Sequence, residues 1–284
     1  MQNPSTTNKI VIVLICAVLF CSLCIVIVQM WGKLADWTVY RRAIAHMLQN
    51  YNPYYLPGRY QFYNPPWVLF LLLPFFIFPP PYDAAALMVA TLVGVTYASH
   101  KMGGRIWGTI LLLTCPPIVA CLLCGQLDWL VLLGLVLPPQ YGLFLVTIKP
   151  QVGAVVAFYW FIRTWQTRGL NGVIDIFGPV ICGYLLSFLW FGLWPLRWIT
   201  LSQQEFQLPL TFWPFGIPFG LYLAYRAIQR HNVNDAIYAA PFLSSHVRVY
   251  SWAGCFLTLV TEPKLLALMS ISMWIILLVC QVEV

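Results

Sequence analysis

Charged side chains are scarce in this sequence. Only 8% of its 284 residues are charged and eight are acidic, whereas 61% are hydrophobic. A soluble domain carries about 25% charged residues, since its folded surface must face water. A chain with so little polar material cannot cover a soluble fold of this length, so the composition predicts an integral membrane protein.

Several chemical patterns are also missing. The sequence has no cluster of His, Asp and Glu with metal-ligand spacing and no glycine-rich nucleotide loop, so we expect neither a metal ion nor a nucleotide ligand. The net charge of +7 is spread over short loops instead of forming a basic stripe, which disfavours nucleic acid as a partner. The nine cysteines lie almost all in apolar runs, where a free thiol behaves as a small hydrophobic group.

Long apolar runs are what the sequence has instead. Residues 10–30 carry no charge, and about 20 apolar residues are enough to cross a bilayer. A cleaved signal peptide is the alternative for this run. Its apolar part would be only about 7–15 residues long and would precede a cleavage site of small residues, which we do not find. We therefore predict a retained first helix.

Further apolar runs recur along the chain, several of them too short to cross a bilayer. They cover residues 66–80, 84–99, 107–123, 128–137, 141–148, 150–162, 172–192, 212–228, 235–243, 249–260 and 264–281. The 21 prolines interrupt them, and Pro74 together with the prolines at 79–81 marks the run 66–80 as a half-helix or a re-entrant segment. Broken helices persist at membrane depth only when they are buried in protein or line a cavity. The pattern predicts an all-α, polytopic membrane bundle of about nine to twelve short or broken segments, forming a single domain over residues 1–284.

Basic loops indicate how the runs are oriented. The loops at 163–168 and 226–230 are rich in Arg, which places them in the cytoplasm. The turns at Gln126, Lys149 and His246 then face the opposite side of the membrane.

The first external loop, residues 31–65, is the longest polar stretch. Apolar side chains recur in it at helical spacing, which predicts an amphipathic helix lying in the membrane interface. They are Trp37, Tyr40, Ile44, Met47, Leu48 and Tyr51. The loop also carries four cations against one acid. Either these cations reach out to lipid phosphates without a specific ligand, or they bind an anionic head group.

Asp36 is that single acid, and the residues alone allow two interpretations. A carboxylate beside Trp37 at a membrane face can act as a general base. At the start of the predicted helix it can equally serve as the N-cap. Both interpretations stay open at this point.

Six short motifs follow one another over about 215 residues. They are Asp36–Tyr40 (DWTVY), Asn52–Tyr55 (NPYY), Phe62–Trp67 (FYNPPW), Gly125–Asp128 (GQLD), Lys149–Gln151 (KPQ) and Pro241–His246 (PFLSSH). Their order resembles the GT-C superfamily of membrane glycosyltransferases, and within it the polyprenol-phosphate-mannose-dependent α-mannosyltransferases. The chain departs from the family in being shorter than typical members and in having Asn64 where Tyr is more usual.

The resemblance implies an activity and a set of site residues. By resemblance Asp36 is the general base, and no cofactor is needed, because the sugar comes from a polyprenyl-phosphate donor at the outer face. The implied substrate-binding residues are Tyr40, Arg41, Arg42, Arg59, Gln126, Asp128, Lys149 and His246. The implied partners are the bilayer, the lipid-linked donor and a lipid or glycan acceptor, and the protein is expected to be a multi-pass protein of the cell membrane.

Lys149, Asp128 and His246 also have purely structural interpretations. Lys149 either neutralises the leaving phosphate together with the loop arginines or extends from a helix end into the head groups. Gln126 and Asp128 either bind sugar hydroxyls or, for Asp128, cap a helix. His246 either contacts the substrate or makes an ordinary structural hydrogen bond.

Two other functional classes compete with a transferase. A transporter or lipid flippase also has broken helices and intramembrane polar residues, but it should show paired halves, which we do not find. A non-catalytic membrane subunit of a larger assembly fits the short length, but not the presence of Asp36, Lys149 and His246 together.

Overall fold

The computed structural model describes residues 24–26, 34–58, 60–196 and 211–280. These residues form helices and connecting turns, with no strand among them, which confirms the all-α prediction for this part of the chain. The predicted first helix at 10–30 falls outside the described residues except at 24–26, and Arg59 falls outside them too.

The helices, numbered in chain order, are α1 (Ala35–Leu48), α2 (Trp67–Phe76), α3 (Tyr82–Lys101), α4 (Ile106–Leu113), α5 (Pro116–Cys124), α6 (Asp128–Val136), α7 (Pro139–Val146), α8 (Pro150–Phe191), α9 (Ile217–Arg230), α10 (Val233–Ala239), α11 (Ala253–Leu257) and α12 (Pro263–Val279). Two short 3-10 helices cover Ala240–Phe242 and Val249–Trp252. Four of these helices begin with proline. The N–H of the first helical residue makes no hydrogen bond within the helix, so proline, which has no N–H, is well tolerated there. They are Pro116, Pro139, Pro150 and Pro263.

Two described helices, α3 and α8, are long and apolar enough to cross a membrane, and the bent pair α4–α5 would make a third span if taken as one segment. The α4–α5 pair is bent by 53°. Within α8 the backbone leaves helical geometry at Gly169, which has a φ of 61°, so two predicted apolar runs are separated there. Helix α2 has only 10 residues, too few to span, as expected for a half-helix.

Helix α1 is the amphipathic helix predicted in the first loop. It buries Trp37, Val39, Tyr40, Ala43 and Ile44 and packs against α2. The predicted apolar face was too long, however. Leu48 and Tyr51 are exposed, because the helix ends at Leu48 and Tyr51 follows the turn.

The hairpin α6–α7 sets the position of the site. A Cβ atom on Gly142 would lie 2.4 Å from the carbonyl oxygen of Gly134, so the two backbones are in direct contact and only glycine fits there. The two helices are antiparallel, which brings the start of α6 beside the end of α7 and the start of α8. Asp128 and Lys149 therefore become neighbours, although 21 residues separate them.

Candidate active site

Asp36 lies in the first turn of α1, and it is not the helix cap. The N-cap residue is Leu34, and no side chain caps this end. The half-buried Asp36 carboxylate instead accepts a hydrogen bond from the Nε2 of Gln126. The capping interpretation of Asp36 is thus wrong, because its side chain points to another segment of the chain.

Gln126 reaches Asp36 through a tight turn between α5 and α6. Gly125 ends α5 with a φ of 70°, a left-handed conformation that glycine adopts without strain. A Cβ atom on Gly125 would lie 3.0 Å from the Cβ of Trp37, so the turn packs directly against α1. This close approach places Gln126 between Asp36 and the residues that follow it.

Lys149 is enclosed by protein. It is 5% exposed, and its Nζ donates to the Oε1 of Gln126 at 2.5 Å and to the Oδ2 of Asp128 at 2.6 Å. The Nζ also lies 4.2 Å from the centre of the Tyr250 ring, within cation–π range. The interpretation of Lys149 as a residue extended toward lipid head groups is therefore wrong.

Asp128 begins α6 without capping it, since no side-chain cap is formed at this helix start. It is 2% exposed. While its Oδ2 binds Lys149, its Oδ1 is buried and makes no hydrogen bond with any described residue. Buried polar atoms are nearly always paired, so this oxygen is an unsatisfied acceptor that the protein encloses.

The FYNPPW motif supports the turn before α8. The side-chain amide of Asn64 donates to the carbonyl of Ile148 at 3.2 Å, directly before Lys149. Trp67 donates through Nε1 to the carbonyl of Phe144 at 3.0 Å. These two bonds tie the first loop to the segment that carries Lys149.

Arg248 and Tyr250 lie at this cluster, although the sequence interpretation gave neither a role in the site: Tyr250 entered it only as a residue that follows the PFLSSH motif in the family resemblance. Arg248 is half-buried, and its charge acts on Asp36; Tyr250 lies under Lys149. The signal was a cation only two residues beyond the PFLSSH motif, in a loop placed outside, where Lys and Arg are usually avoided.

The charges around Asp36 oppose one another. Helix α1 lies outside the helices that are long enough to cross a membrane. Burial raises the pKa of the Asp36 carboxyl above its ordinary value, while Lys149, the Gln126 hydrogen bond and Arg248 lower it, and Asp128 raises it. Because burial dominates, Asp36 holds a proton more readily than an exposed carboxylate.

The predicted phosphate-binding arginines lie elsewhere. Arg41 pairs with Asp83, which also accepts from the Nε1 of Trp37 at 2.9 Å, and so it fastens α1 to α3. Arg42 donates to the carbonyl of Pro57 and holds the following turn. The structure does not bring either one into the Asp36 cluster, because partners distant in sequence engage both.

Tyr40 and His246 are placed differently from each other. Tyr40 is buried one turn after Asp36, with its ring edge-on to Phe62. His246 is exposed, and its backbone N–H donates to the Oγ of Ser244 at 3.2 Å. Substrate contacts for these two residues stay predictions.

The chain matches no protein-family model, no curated protein and no solved structure. Within the described residues, no group of three or more His, Cys, Asp or Glu side chains could hold a metal ion. The cluster offers a carboxylate that can accept a proton, an unsatisfied buried oxygen and a half-buried guanidinium. Such a set is suited to proton abstraction next to an anionic group.

Proposed function

We propose that the protein is a membrane glycosyltransferase, which transfers mannose or another hexose from a polyprenyl-phosphate donor to a lipid-linked or glycan acceptor. The supporting observation is the continuous hydrogen-bond chain from Asp36 through Gln126 and Lys149 to Asp128. These hydrogen bonds join residues from three of the motifs that carry the family resemblance, although the motifs are far apart in sequence.

A bilayer location is part of the proposal. Leu189 and Trp190 near the end of α8 are 85% and 80% exposed, and several other large apolar side chains of this helix are exposed as well. Contiguous exposed apolar surface of this kind is typical of a membrane or protein contact. With α3 and α8 long enough to span, we propose a multi-pass protein of the cell membrane with its site at the outer face.

In the proposed reaction Asp36 accepts the proton of an acceptor hydroxyl while that oxygen attacks the anomeric carbon of the donor sugar. The bond from this carbon to the phosphate oxygen breaks, the lipid phosphate leaves with the bonding electrons, and the configuration inverts. Arg248 stabilises the charge on the departing phosphate, in place of Arg41 and Arg42. A fixed cation at this point lowers the barrier, because charge develops there in the transition state.

Lys149 is a positioning residue in this mechanism. Its Nζ donates to the Oε1 of Gln126, which fixes the orientation of the amide and leaves Nε2 toward Asp36. Asp128 in turn holds the ammonium of Lys149. The arrangement keeps the proposed base in one orientation before the substrate arrives.

The test uses purified protein with radiolabelled polyprenyl-phosphate mannose, or the corresponding glucose donor, and a lipid extract as acceptor. We expect a labelled product from the wild type and its loss in Asp36→Asn. Asp175→Asn is the matched control, because Asp175 pairs with Arg168 on an exposed surface. Equal transfer by wild type and Asp36→Asn would remove the assigned base.

A transporter or flippase is the second candidate, favoured by the 53° bend between α4 and α5 and the break at Gly169 in α8. The same purified protein, placed in liposomes with a fluorescent polyprenyl-phosphate sugar, distinguishes the two. Movement of the lipid across the bilayer without any transfer product would support the transporter. If neither movement nor product is seen with any donor, the result points to a non-catalytic subunit.

A further inference from the structure

Two basic side chains, Arg163 and His231, meet at the end of the bundle opposite the Asp36 cluster. Helix α8 begins beside that cluster, and Arg163 follows about 20 Å further along the helix axis. Helix α9 ends at the same place, with His231 as its C-cap. The Nη1 of Arg163 lies 3.5 Å from the Nε2 of His231, so basic groups from two helices converge there.

The two carboxylates closest to this pair along the chain are already bound to other cations. Asp175 pairs with Arg168 at 2.7 Å, and Asp235 binds Arg226 through both of its oxygens. Among the described residues, no ion pair involves Arg163. The charge of its guanidinium is therefore not balanced by a described acid.

The gap in the described chain at 197–210 begins and ends at the other end of the bundle. Trp194, shortly before the gap, stacks on Tyr54 with 5.4 Å between the ring centres. Thr211, directly after the gap, donates to the carbonyl of Ser244 at 2.7 Å. The described residues on both sides of the gap therefore lie far from the basic pair.

The polar neighbours of Arg163 are neutral. Its Nη1 donates to the Oε1 of Gln166 at 3.4 Å and faces the Nε2 of His231, and the hydroxyl of Tyr159 is another such neighbour. The two Nη1 contacts are longer than the roughly 2.7–3.2 Å of ordinary hydrogen bonds. Because Arg163 is half-buried and His231 is exposed, an anion can reach both side chains and receive a stronger, charge-assisted bond from the guanidinium.

Exposed aromatic side chains lead to the basic pair along both helices. On α8, Phe158, Phe161 and Trp165 are exposed and recur at the spacing of one helical face. On α9, Tyr222 and Tyr225 are exposed as well. Aromatic side chains next to cations are typical of the membrane interface. A molecule that combines a phosphate with apolar chains can therefore contact the cations and these rings together.

We infer that Arg163 and His231 bind the phosphate of an anionic glycerophospholipid, whose acyl chains lie along the exposed aromatic side chains of α8 and α9. The guanidinium balances the charge of the phosphodiester, and the imidazole donates a hydrogen bond to one of its oxygens. A lipid with a net negative charge is favoured over a zwitterionic one, because no described acid at the pair would hold a cationic head group. This site is separate from sugar transfer and shares only the bilayer location with the proposed function.

Binding is tested by the retention of radiolabelled dioleoyl-phosphatidylglycerol on the full-length protein, immobilised in an uncharged detergent. Dioleoyl-phosphatidylcholine is the reference lipid, since it has the same acyl chains. Arg163→Gln removes the charge, Arg163→Lys keeps it, and His231→Leu removes the imidazole. Arg105→Gln is the matched control, because Arg105 is an exposed arginine at the start of another helix.

We expect the wild type and Arg105→Gln to bind phosphatidylglycerol more tightly than phosphatidylcholine. This preference should fall about threefold to tenfold in Arg163→Gln, as for the loss of one cation near an anionic lipid. It should fall less in His231→Leu and remain largely intact in Arg163→Lys. Equal falls in Arg163→Gln and Arg105→Gln, or no preference in the wild type, would overturn the inference.

Inorganic phosphate distinguishes a lipid site from a site for a free anion. Added in large excess, it should displace little phosphatidylglycerol, because it cannot cover the aromatic side chains. Trp165→Gln should weaken the binding of both lipids to the same extent. Displacement by phosphate together with unchanged lipid binding in Trp165→Gln would assign the pair to a free anion and contradict the lipid.

The lipid site and the transferase proposal can fail independently. The binding measurements need no sugar donor and no acceptor. A lipid preference that Arg163→Gln removes, in a protein that transfers no sugar, would keep the lipid site and contradict the transferase proposal alone. Sugar transfer without any lipid preference would do the reverse.

Discussion

Two buried carboxylates in this molecule are paired to different extents. Between α9 and α10, Arg226 donates through Nε to the Oδ2 of Asp235 at 2.8 Å and through Nη2 to the Oδ1 at 2.5 Å, so both oxygens are satisfied. In the Asp36 cluster, Lys149 satisfies only one oxygen of Asp128, and the other has no described partner. We call the Arg226–Asp235 pair the closed pair, since both oxygens of Asp235 are bonded within the protein. The chain from Asp128 ends instead at the half-buried carboxylate of Asp36.

Ionic pairing alone therefore does not identify a functional site. A bidentate Arg–carboxylate pair is geometrically complete and joins two helices. The hydrogen-bond chain from Asp128 to Asp36 ends at a carboxylate that is only partly buried, which is what a site needs if a substrate is to contact the proposed base. Variants in the two regions should therefore separate stability from activity.

The largest stability effect is expected at Lys149. Lys149→Met leaves the Asp128 charge buried and unpaired, which costs about 3–5 kcal/mol when one partner of a buried pair is removed. Unfolding of the purified protein by denaturant in detergent measures this change. The double variant Lys149→Met with Asp128→Asn should recover much of the loss, and no recovery would show that the two residues are not energetically coupled.

Gln126 should matter for activity as well as for stability, because its amide links the proposed base to Lys149. Gln126→Leu removes a hydrogen bond to a charged group, a loss of about 1.5–3 kcal/mol, so we expect kcat/KM for sugar transfer to fall about tenfold to a hundredfold. Gln140→Leu is the matched control on another helix. If both variants retain wild-type kinetics, Gln126 does not orient Asp36.

Removing the charge of Arg248 should change the pH dependence of the reaction. A general base works when ionised, so activity rises with pH through the pKa of Asp36. Arg248 lowers this pKa; removing its charge in Arg248→Gln should therefore move the acidic limb of the kcat/KM profile to higher pH. Arg230→Gln, an exposed charge at the end of α9, should leave the limb in place.

The smallest effect on activity is expected at the closed pair. Arg226→Gln should lower the Tm, because Asp235 loses its hydrogen-bond donors, while transfer per folded molecule stays at the wild-type level. Thermal unfolding and transfer are measured on the same preparation. A loss of transfer without a fall in Tm would mean that the closed pair also serves the reaction.

The sequence predicted the helical class, the helix α1 and four members of the cluster. The periodicity of apolar residues predicted α1 correctly, because it shows which face of a single helix is apolar. It could not show that Arg41 would pair with Asp83, since that contact joins residues 42 positions apart. The capping interpretations of Asp36 and Asp128 were wrong for the same reason: a local rule competed with a partner that only the tertiary fold supplies.

The site roles of Arg248 and Tyr250 were missed because each is an ordinary residue in a short 3-10 segment or beside it. Their role follows from packing of the Val249–Trp252 helix against α5, which brings the loop over Lys149. The contact between Arg163 and His231 likewise joins residues 68 positions apart. No spacing pattern in the sequence relates such distant segments.

The most direct test of the central claim is transfer of label from polyprenyl-phosphate mannose by Asp36→Asn and Asp235→Asn, measured side by side at equal amounts of folded protein. Loss of a general base typically lowers the rate about 10²–10⁴-fold, so we predict that Asp36→Asn loses transfer to this extent while Asp235→Asn retains it. Equal transfer by the two variants would contradict the assignment of Asp36 as the base.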